Sequence, residues 1–208
     1  MKLYLSSYRV PVPEALFELV GKNPAEIKMA LIPNAKDYYA ERAWNFKTNQ
    51  AIEYMKHLGF IVEVVDLRKF DNAQEVKSAL QDFDIVWANG GNTFNLLYEM
   101  KRSGFDKAIK ELLAEGKVYG GESAGALVAG NTVKGSEYAD EPEFAEKVTW
   151  DGLKLTDHFV LPHVDNTDFG DAIQKAKDEH ANDPTMILLN DNQAMIVDDT
   201  GVRTLSSD

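Results

Sequence analysis

A serine between two glycines, in the stretch Gly121-Glu122-Ser123-Ala124-Gly125, has the residue types and spacing most able to do chemistry. Apolar residues before it predict the end of a strand, and small residues after it predict the start of a helix. A nucleophile on such a sharp turn is exposed at the edge of a sheet, and the flanking glycines let the backbone pack closely there. An ordinary glycine-rich turn gives the same short pattern, so the motif alone leaves both interpretations open.

A serine hydroxyl needs a base that takes its proton, and the sequence offers four histidines. His57 and His180 lie in charged helical segments, and His158 falls within a predicted strand. His163 follows that strand, and sites assemble at the carboxyl ends of strands in open α/β sheets. We therefore predict His163 as the base for Ser123, the alternative being that it only ends the strand.

The histidine needs an acidic group that orients it, and the residue types alone do not choose one. Candidates lie in the acidic loop after the serine and beside the histidine: Glu137, Asp140, Glu141, Glu143, Asp157 and Asp165.

Two backbone amides must face the developing oxyanion in acyl transfer. Ala124 supplies one, directly after the nucleophile, and a second glycine-rich turn at residues 89–93 offers the other. The alternative for that turn is a tight connection in which Asn92 or Thr93 caps the next helix.

Alternating apolar and amphipathic segments predict strands and helices that take turns in a mostly parallel sheet. The predicted strands are 3–7, 28–33, 61–67, 84–88, 117–120, 157–161, 186–189, 194–197 and 202–205, the last two forming a hairpin. The predicted helices are 40–58, 73–81, 94–113 and 168–180. Residues 135–148 predict a loop with one helical turn.

Composition limits the classes of function. The 208 residues, 44% of them hydrophobic, predict one domain over 1–208, and a net charge of −12 argues against nucleic acid and acidic membranes as partners. The chain has no cysteine, which excludes a cysteine nucleophile. The N-terminus becomes polar early and no long apolar run follows, so we expect a cytoplasmic protein. The histidine spacing does not favour a metal, and no cofactor is expected.

Three segments carry a resemblance to a known family. They are Gly90-Gly91-Asn92-Thr93-Phe94 with Leu96-Leu97, then Gly121-Glu122-Ser123-Ala124-Gly125-Ala126, then Leu161-Pro162-His163. Together they resemble the peptidase E family, the α-aspartyl dipeptidases related to cyanophycinase. The resemblance implies a flavodoxin-like three-layer sandwich with a mostly parallel sheet and a C-terminal β-hairpin. Class I glutamine amidotransferases share this fold but carry a cysteine at the turn, so its absence here favours the serine branch.

The resemblance also implies roles for individual residues. Ser123 matches the nucleophile, His163 the base, and Gly91 and Ala124 the oxyanion-hole amides. Asp140, in the family's Asp-x-Pro context, is the expected third member of the triad. Glu137 is the alternative, because related branches use a glutamate.

Substrate recognition is where the sequence departs from the family. Aspartyl dipeptidases carry an arginine after the histidine that pairs with the substrate aspartate, whereas this segment offers Lys175 and Lys177. Asn92 and Lys177 are the candidate substrate-binding residues, and Tyr38, Tyr39 and Asn166 are further candidates for the pocket.

The expected function is a serine peptidase that cleaves dipeptides or short peptides, with N-terminal aspartate as one option, through an acyl-enzyme. One alternative is an esterase that uses the same serine. The other is a noncatalytic homologue that binds a small ligand. The sequence does not define the oligomeric state.

Overall fold

Seven strands form one mostly parallel sheet in the computed structural model, which describes residues 1–207. The order across this sheet is β3-β2-β4-β5-β1-β8-β9, and β6 and β7 form a separate parallel pair. The strands are β1 (Lys2–Ser6), β2 (Lys28–Ile32), β3 (Ile61–Val64), β4 (Ile85–Ala88), β5 (Val118–Glu122), β6 (Phe159–Leu161), β7 (Met186–Leu188), β8 (Gln193–Asp198) and β9 (Gly201–Ser206).

Helices cover both faces of the main sheet, which confirms the predicted α/β sandwich. The helices are α1 (Pro13–Val20), α2 (Glu41–His57), α3 (Ala73–Leu80), α4 (Thr93–Arg102), α5 (Phe105–Ala114), α6 (Ala124–Leu127) and α7 (Gly170–Glu179). Buried side chains of α1 and α2 pack on one face, against a core that includes Trp87 of β4. Those of α3 to α6 pack on the other face, where Val86 of the same strand lies.

The strand order explains where a site can form. The series β3-β2-β4-β5 has the 2-1-3-4 order of flavodoxin-like sheets, and the winding reverses between β2 and β4. Strands β1, β2, β4 and β5 run parallel, so the loops that follow them begin at one edge. Strand β8 runs antiparallel to β1 with Ser6 opposite Ala194, so the residues just before β8 reach the same edge.

Two local predictions need correction, and one helix was not predicted. The helix expected over 94–113 is two helices, because the chain turns at Gly104 with a φ of +81°. A Cβ at Gly104 would lie 2.5 Å from the backbone nitrogen of Ala73, the first residue of α3. Only glycine therefore allows the turn to pack this closely against the start of α3. The strand expected over 157–161 pairs with β7 outside the main sheet. Helix α1 was not predicted, although Pro13 at its start and Gly21 after its end are ordinary boundary signals.

Candidate active site

Ser123 lies on a strained turn between β5 and α6. Its φ of +52° and ψ of −115° are rarely adopted by a non-glycine residue, and strain of this kind is common at functional sites. The turn is fixed because the Ser123 amide donates to the Ser6 carbonyl at 3.0 Å. A Cβ at Gly121 would lie 2.3 Å from the Gly125 carbonyl oxygen, so this turn packs too tightly for a side chain. The hydroxyl is thereby presented at the carboxyl edge of the sheet.

The structure places His163 beside Ser123. The histidine Nε2 lies 3.0 Å from the serine Oγ, although β6 belongs to the smaller sheet. His163 also has a positive φ of +61°, and its amide donates to the Ser7 hydroxyl at 2.7 Å. Its ring stacks on Phe169, with the ring centroids 4.9 Å apart. The largely buried imidazole is therefore held in a fixed orientation toward the serine.

Asp191 is the acidic partner of His163. Its Oδ1 lies 2.6 Å from the histidine Nδ1 and accepts a hydrogen bond from the Ser7 hydroxyl at 2.7 Å, while Asn166 donates to Oδ2 at 3.0 Å. Burial raises the pKa of Asp191, but these hydrogen bonds outweigh it and the pKa lies below its ordinary value. An ionised carboxylate at Nδ1 favours the proton on that nitrogen, which leaves Nε2 free to accept the proton of Ser123.

The expected acids, Asp140 and Glu137, do not hydrogen-bond His163 within residues 1–207. The Asp140 Oδ2 accepts the Thr93 amide at 2.9 Å, at the start of α4. The Glu137 carboxylate accepts the Gly135 amide in its own turn at 2.6 Å. The prediction of a triad acid in this loop is therefore corrected: the loop folds over the start of α4, and the histidine turns its Nδ1 toward the opposite side.

Sequence reasoning missed Asp191, although a signal was present. The residue belongs to the turn Asn190-Asp191-Asn192, directly before the first strand of the predicted hairpin. A strand that pairs antiparallel with a strand of a parallel sheet begins at the edge where the parallel strands end. Its first residues therefore lie at the carboxyl edge of the sheet. The hairpin was predicted, but the pairing of its first strand, β8, with β1 was not. This pairing brings Asp191 to the histidine.

The predicted oxyanion amides lie beside the serine. Gly91 follows β4 with a φ of +145°, and a Cβ there would lie 2.3 Å from the Ala35 carbonyl oxygen. Its neighbour Gly90 packs against Ser123, because a Cβ at that position would lie 3.0 Å from the serine Cβ. Within residues 1–207, the amides of Gly91 and Ala124 donate to no protein acceptor. Gly91 lines the cavity space beside Ser123, and Ala124 is the buried first residue of α6, directly after the nucleophile.

Two pockets of opposite character meet at Ser123, and His163 lines both. The larger, of about 630 Å³, is called here the cationic cleft, and its charged wall consists of Arg9, Lys36, Lys47, Glu122 and Asp191. The smaller, of about 300 Å³, is called the acidic pocket. Asp140 and Glu141 line it together with apolar residues of β6, α6 and α7, namely Leu127, Leu161, Ala172, Ile173 and Ala176.

Burial is the dominant influence on the pKa of one charged group in each pocket. It lowers the pKa of Lys36 to about 8, although Glu122 nearby favours the charged form. It also raises the pKa of Asp140, against the hydrogen bond from Thr93. Each pocket thus contains a group whose charged form is poorly solvated, and perturbed groups of this kind in a cleft are typical of functional sites.

The remaining candidates divide between the pockets and the scaffold. Asn92 is 2% exposed and caps α4, since its side chain accepts from the Asn95 amide at 2.9 Å and donates to the Glu141 carbonyl. Lys177 lies on α7 and is not part of either pocket wall among residues 1–207. The further candidates do line pockets: Tyr39 and Asn166 the cationic cleft, and Tyr38 the acidic pocket.

Residues 1–207 contain neither a metal-ligating cluster nor a membrane-spanning helix. No group of three or more histidine, aspartate or glutamate side chains is arranged to hold a metal ion. None of the helices described there is long and apolar enough to cross a membrane.

Comparison with known proteins assigns the family. The model of peptidase family S51 matches residues 4–205. The chain belongs to peptidase family S51. The predicted resemblance to peptidase E is thereby confirmed, and the S51 chain is a hydrolase of a peptidase family.

Relatives of this S51 chain match either nearly its whole length or a part of it. It is 33% identical to an uncharacterised peptidase of Listeria monocytogenes over 92% of its length and 91% of the relative's. Peptidase E of Shewanella putrefaciens is 39% identical over 88 residues, which cover 42% of this chain and 36% of that one. A Listeria monocytogenes crystal structure described as a candidate peptidase E superimposes with a TM-score of 0.85 at 30% identity, covering 100% of this chain and 98% of that one.

A more distant structure supports the fold alone. A peptidase from an acI-B1 actinobacterium is 19% identical and superimposes on the S51 chain with a TM-score of 0.74. It covers 99% of this chain and 87% of the other.

Proposed function

We propose that this protein is a serine peptidase that cleaves dipeptides or other short peptides with a free N-terminus. The observation that carries the proposal is the continuous hydrogen-bonded series from the Ser123 hydroxyl through His163 to Asp191, on a strained turn beside two free amides. A nucleophile, a base and a group that orients the base are the parts that acyl transfer by serine requires.

The mechanism follows from these parts. The Ser123 Oγ attacks the peptide carbonyl carbon while its proton passes to His163 Nε2, and the Gly91 and Ala124 amides bind the oxyanion. The intermediate collapses when the imidazolium gives its proton to the leaving amine, which breaks the C–N bond and leaves an acyl-enzyme. His163 then takes a proton from a water molecule that attacks the ester, and it returns this proton to Ser123 Oγ as the acyl C–O bond breaks, which releases the acid and restores the hydroxyl. Asp191 stays ionised and stabilises the imidazolium.

The acidic pocket suits the amino end of the substrate. The Oδ2 of Asp140 accepts a hydrogen bond from the Thr93 amide. The same side chain lines the acidic pocket, which also reaches Ser123. A substrate ammonium supplies the positive charge that a poorly solvated carboxylate lacks. With the ammonium at Asp140, the carbonyl of the first residue lies near Ser123, so the enzyme removes one N-terminal residue. This is a binding role for the residue that the sequence suggested as catalytic.

The same pocket argues against an N-terminal aspartate. Its wall combines apolar side chains with the carboxylates of Asp140 and Glu141 and contains no lysine or arginine among the residues described. A substrate carboxylate there would meet like charges at short range. We therefore propose that N-terminal residues with small neutral side chains, such as alanine, are preferred over aspartate.

Hydrolysis of Ala-Leu, Leu-Leu, Lys-Leu and Asp-Leu by the wild type and by Ser123→Ala tests the proposal. We expect the highest kcat/KM with Ala-Leu, and a loss of activity in Ser123→Ala on the order of 10⁶-fold in kcat, as removal of a serine nucleophile causes. Ser78→Ala is the matched control, because Ser78 is an exposed serine on α3.

Each outcome of this experiment has a distinct meaning. Cleavage that survives in Ser123→Ala, or no cleavage of any peptide by the wild type, would reject the proposed function. Cleavage that depends on Ser123 but is restricted to Asp-Leu would keep the mechanism and reject the neutral preference.

A further inference from the structure

The cationic cleft has a charge balance opposite to that of the whole protein. The chain has 34 acidic and 22 basic residues, yet three cationic side chains face two carboxylates in this cleft. Both carboxylates have hydrogen-bond donors on the protein: Asp191 bonds His163, as described, and Glu122 accepts the Arg9 amide and the Asn89 side chain, each at 2.7 Å. Among residues 1–207, none of the three cations forms an ion pair. The free charge of the cleft is therefore positive.

Arg9 is held in place by the backbone and by aromatic rings rather than by an acid. Its φ is +51°, its amide is fixed by Glu122, and its carbonyl accepts the Ser6 hydroxyl. The guanidinium carbon lies 5.0 Å from the ring centroid of Tyr8 and 4.8 Å from that of Tyr54. Cation–π contacts of this kind orient a guanidinium and leave its N–H groups free to bind a ligand.

Lys36 is the more unusual of the cations. It follows β2 at the position where the strand order reverses, it is half-buried in the wall of the cleft, and its ammonium has no hydrogen-bond acceptor among residues 1–207. Partial burial disfavours an ammonium that has no acid beside it, and a ligand carboxylate in the cleft would supply that partner. Lys47, whose ammonium lies 4.9 Å from the ring centroid of Tyr39, adds a second positive charge to the same wall.

We propose that Lys36, with Arg9 and Lys47 beside it, binds the free C-terminal carboxylate of the residue that leaves in the reaction. This inference rests on the proposed peptidase function for the direction of the substrate. If the ammonium lies at Asp140 and the scissile carbonyl at Ser123, the leaving residue extends into the cationic cleft. The pockets on the two sides of Ser123 then match the two ends of a zwitterionic dipeptide, which makes the enzyme a dipeptidase rather than a general aminopeptidase.

The test measures binding without turnover. In the Ser123→Ala protein, titration calorimetry compares Ala-Leu with Ala-Leu amide and Asp-Leu amide. We expect Ala-Leu to bind about 10- to 100-fold more tightly than Ala-Leu amide, as for a charge-assisted hydrogen bond. Addition of Lys36→Met should bring that ratio close to one. Lys56→Met should keep it, because Lys56 is an exposed lysine of α2 paired with Glu53.

A second variant keeps the test informative if Lys36→Met folds poorly. Arg9→Asn removes the guanidinium, and asparagine tolerates the left-handed backbone of this position, so we expect a smaller loss of the same ratio. In enzymes that keep Ser123, the ratio of kcat/KM for Ala-Leu to that for Ala-Leu amide should be highest in the wild type, lower in Arg9→Asn and lowest in Lys36→Met, mainly through KM.

Several results would overturn the inference. Equal binding of Ala-Leu and its amide, or no binding of any probe, would show that the cleft does not bind this carboxylate. Tight binding of Asp-Leu amide would show that the cleft takes an acidic side chain instead. Failure of the proposed function is distinct, because it would appear as free-acid preference in Ser123→Ala without hydrolysis of any peptide by the wild type.

Discussion

The acidic pocket and the cationic cleft share Ser123, His163, Gly91 and Phe169, yet they are built differently. The acidic pocket is formed by the acidic loop, β6 and α7, outside the main sheet. The cationic cleft is formed by one side of α2 and by loops at the carboxyl edge of that sheet, after β1, β2, β4 and β5. The catalytic groups lie between the acidic pocket and the cationic cleft. A change in either of these two pockets can therefore alter recognition of one end of a peptide and leave recognition of the other end unaffected.

The two pockets also differ in how they use their carboxylates. In the cationic cleft, Asp191 is held by Ser7, His163 and Asn166, and its pKa is lowered by these hydrogen bonds in spite of its burial. In the acidic pocket, burial raises the pKa of Asp140 in spite of the hydrogen bond from Thr93. The Asp191 carboxylate has its hydrogen-bond donors within the protein and orients the base. The Asp140 carboxylate has capacity for a ligand.

The largest expected effect that tests this difference is that of Asp191→Asn. An amide cannot stabilise the imidazolium and favours the wrong histidine tautomer, so kcat for Ala-Leu should fall about 10⁴-fold, with little change in KM. Steady-state kinetics measure both values.

Asp165→Asn is the control for Asp191→Asn, because Asp165 is an exposed acid two residues after His163. It should retain wild-type kinetics. A kcat for Asp191→Asn within tenfold of the wild type would show that the hydrogen bond to His163 does not serve catalysis.

The next effect in size belongs to Asp140→Asn. The change keeps an acceptor for the Thr93 amide but removes the charge that we assign to ammonium binding, so KM for Ala-Leu should rise about 10- to 100-fold while kcat changes less. The preference of the wild type for Ala-Leu over N-acetyl-Ala-Leu should shrink in this variant.

Glu143→Gln, an exposed change in the same loop, should leave both values of Ala-Leu hydrolysis unaltered. If Asp140→Asn instead lowered kcat as much as Asp191→Asn does, the division of roles between the two aspartates would be wrong.

The sequence predicted the parts of this site that depend on neighbouring residues. The turn around Ser123 and the glycine pair at Gly90-Gly91 depend only on residues next to one another in the sequence, because a tight turn between a strand and a helix requires small residues at consecutive positions. The α/β layers were also predicted from local patterns of apolar residues. Membership in the family was predicted from the order of three short motifs.

The missed parts depend on pairing over long distances. Asp191 reaches His163 because β8 pairs antiparallel with β1, a contact between residues almost 190 positions apart in the chain. The cationic cleft needs Arg9, Lys36 and Lys47 from three segments at one edge, and none of these has a local motif. Asp140 was noticed for its Asp-x-Pro context, but the direction of its side chain depends on how the loop folds over α4.

The last effect, and the one least dependent on the proposed substrate, concerns the stability of Lys36→Met. The folded protein gives Lys36 a pKa of about 8 instead of 10.5, because burial outweighs the attraction of Glu122 and Asp37, and Lys47 repels it. At pH 7 this half-buried lysine still carries its charge where burial disfavours it, so replacement by methionine, which has a similar shape, should stabilise the protein by about 1–3 kcal/mol. Thermal unfolding should show a rise in Tm of about 2–4 °C for each kcal/mol.

The pH dependence of that difference has a definite sign. Between pH 8 and 10.5 the unfolded chain binds more protons at this lysine than the folded protein does, so the stability of the wild type rises relative to Lys36→Met. The advantage of the variant should therefore be fully present below pH 8 and shrink as the pH increases toward 10.5. Other groups that titrate in this range affect both proteins and cancel in the comparison, and Lys56→Met should show no such trend. A variant that is less stable than the wild type at pH 7 would mean that Lys36 is a structural residue. A variant that is more stable but binds Ala-Leu more weakly would mean that the protein accepts a cost in stability for the ability to bind a carboxylate.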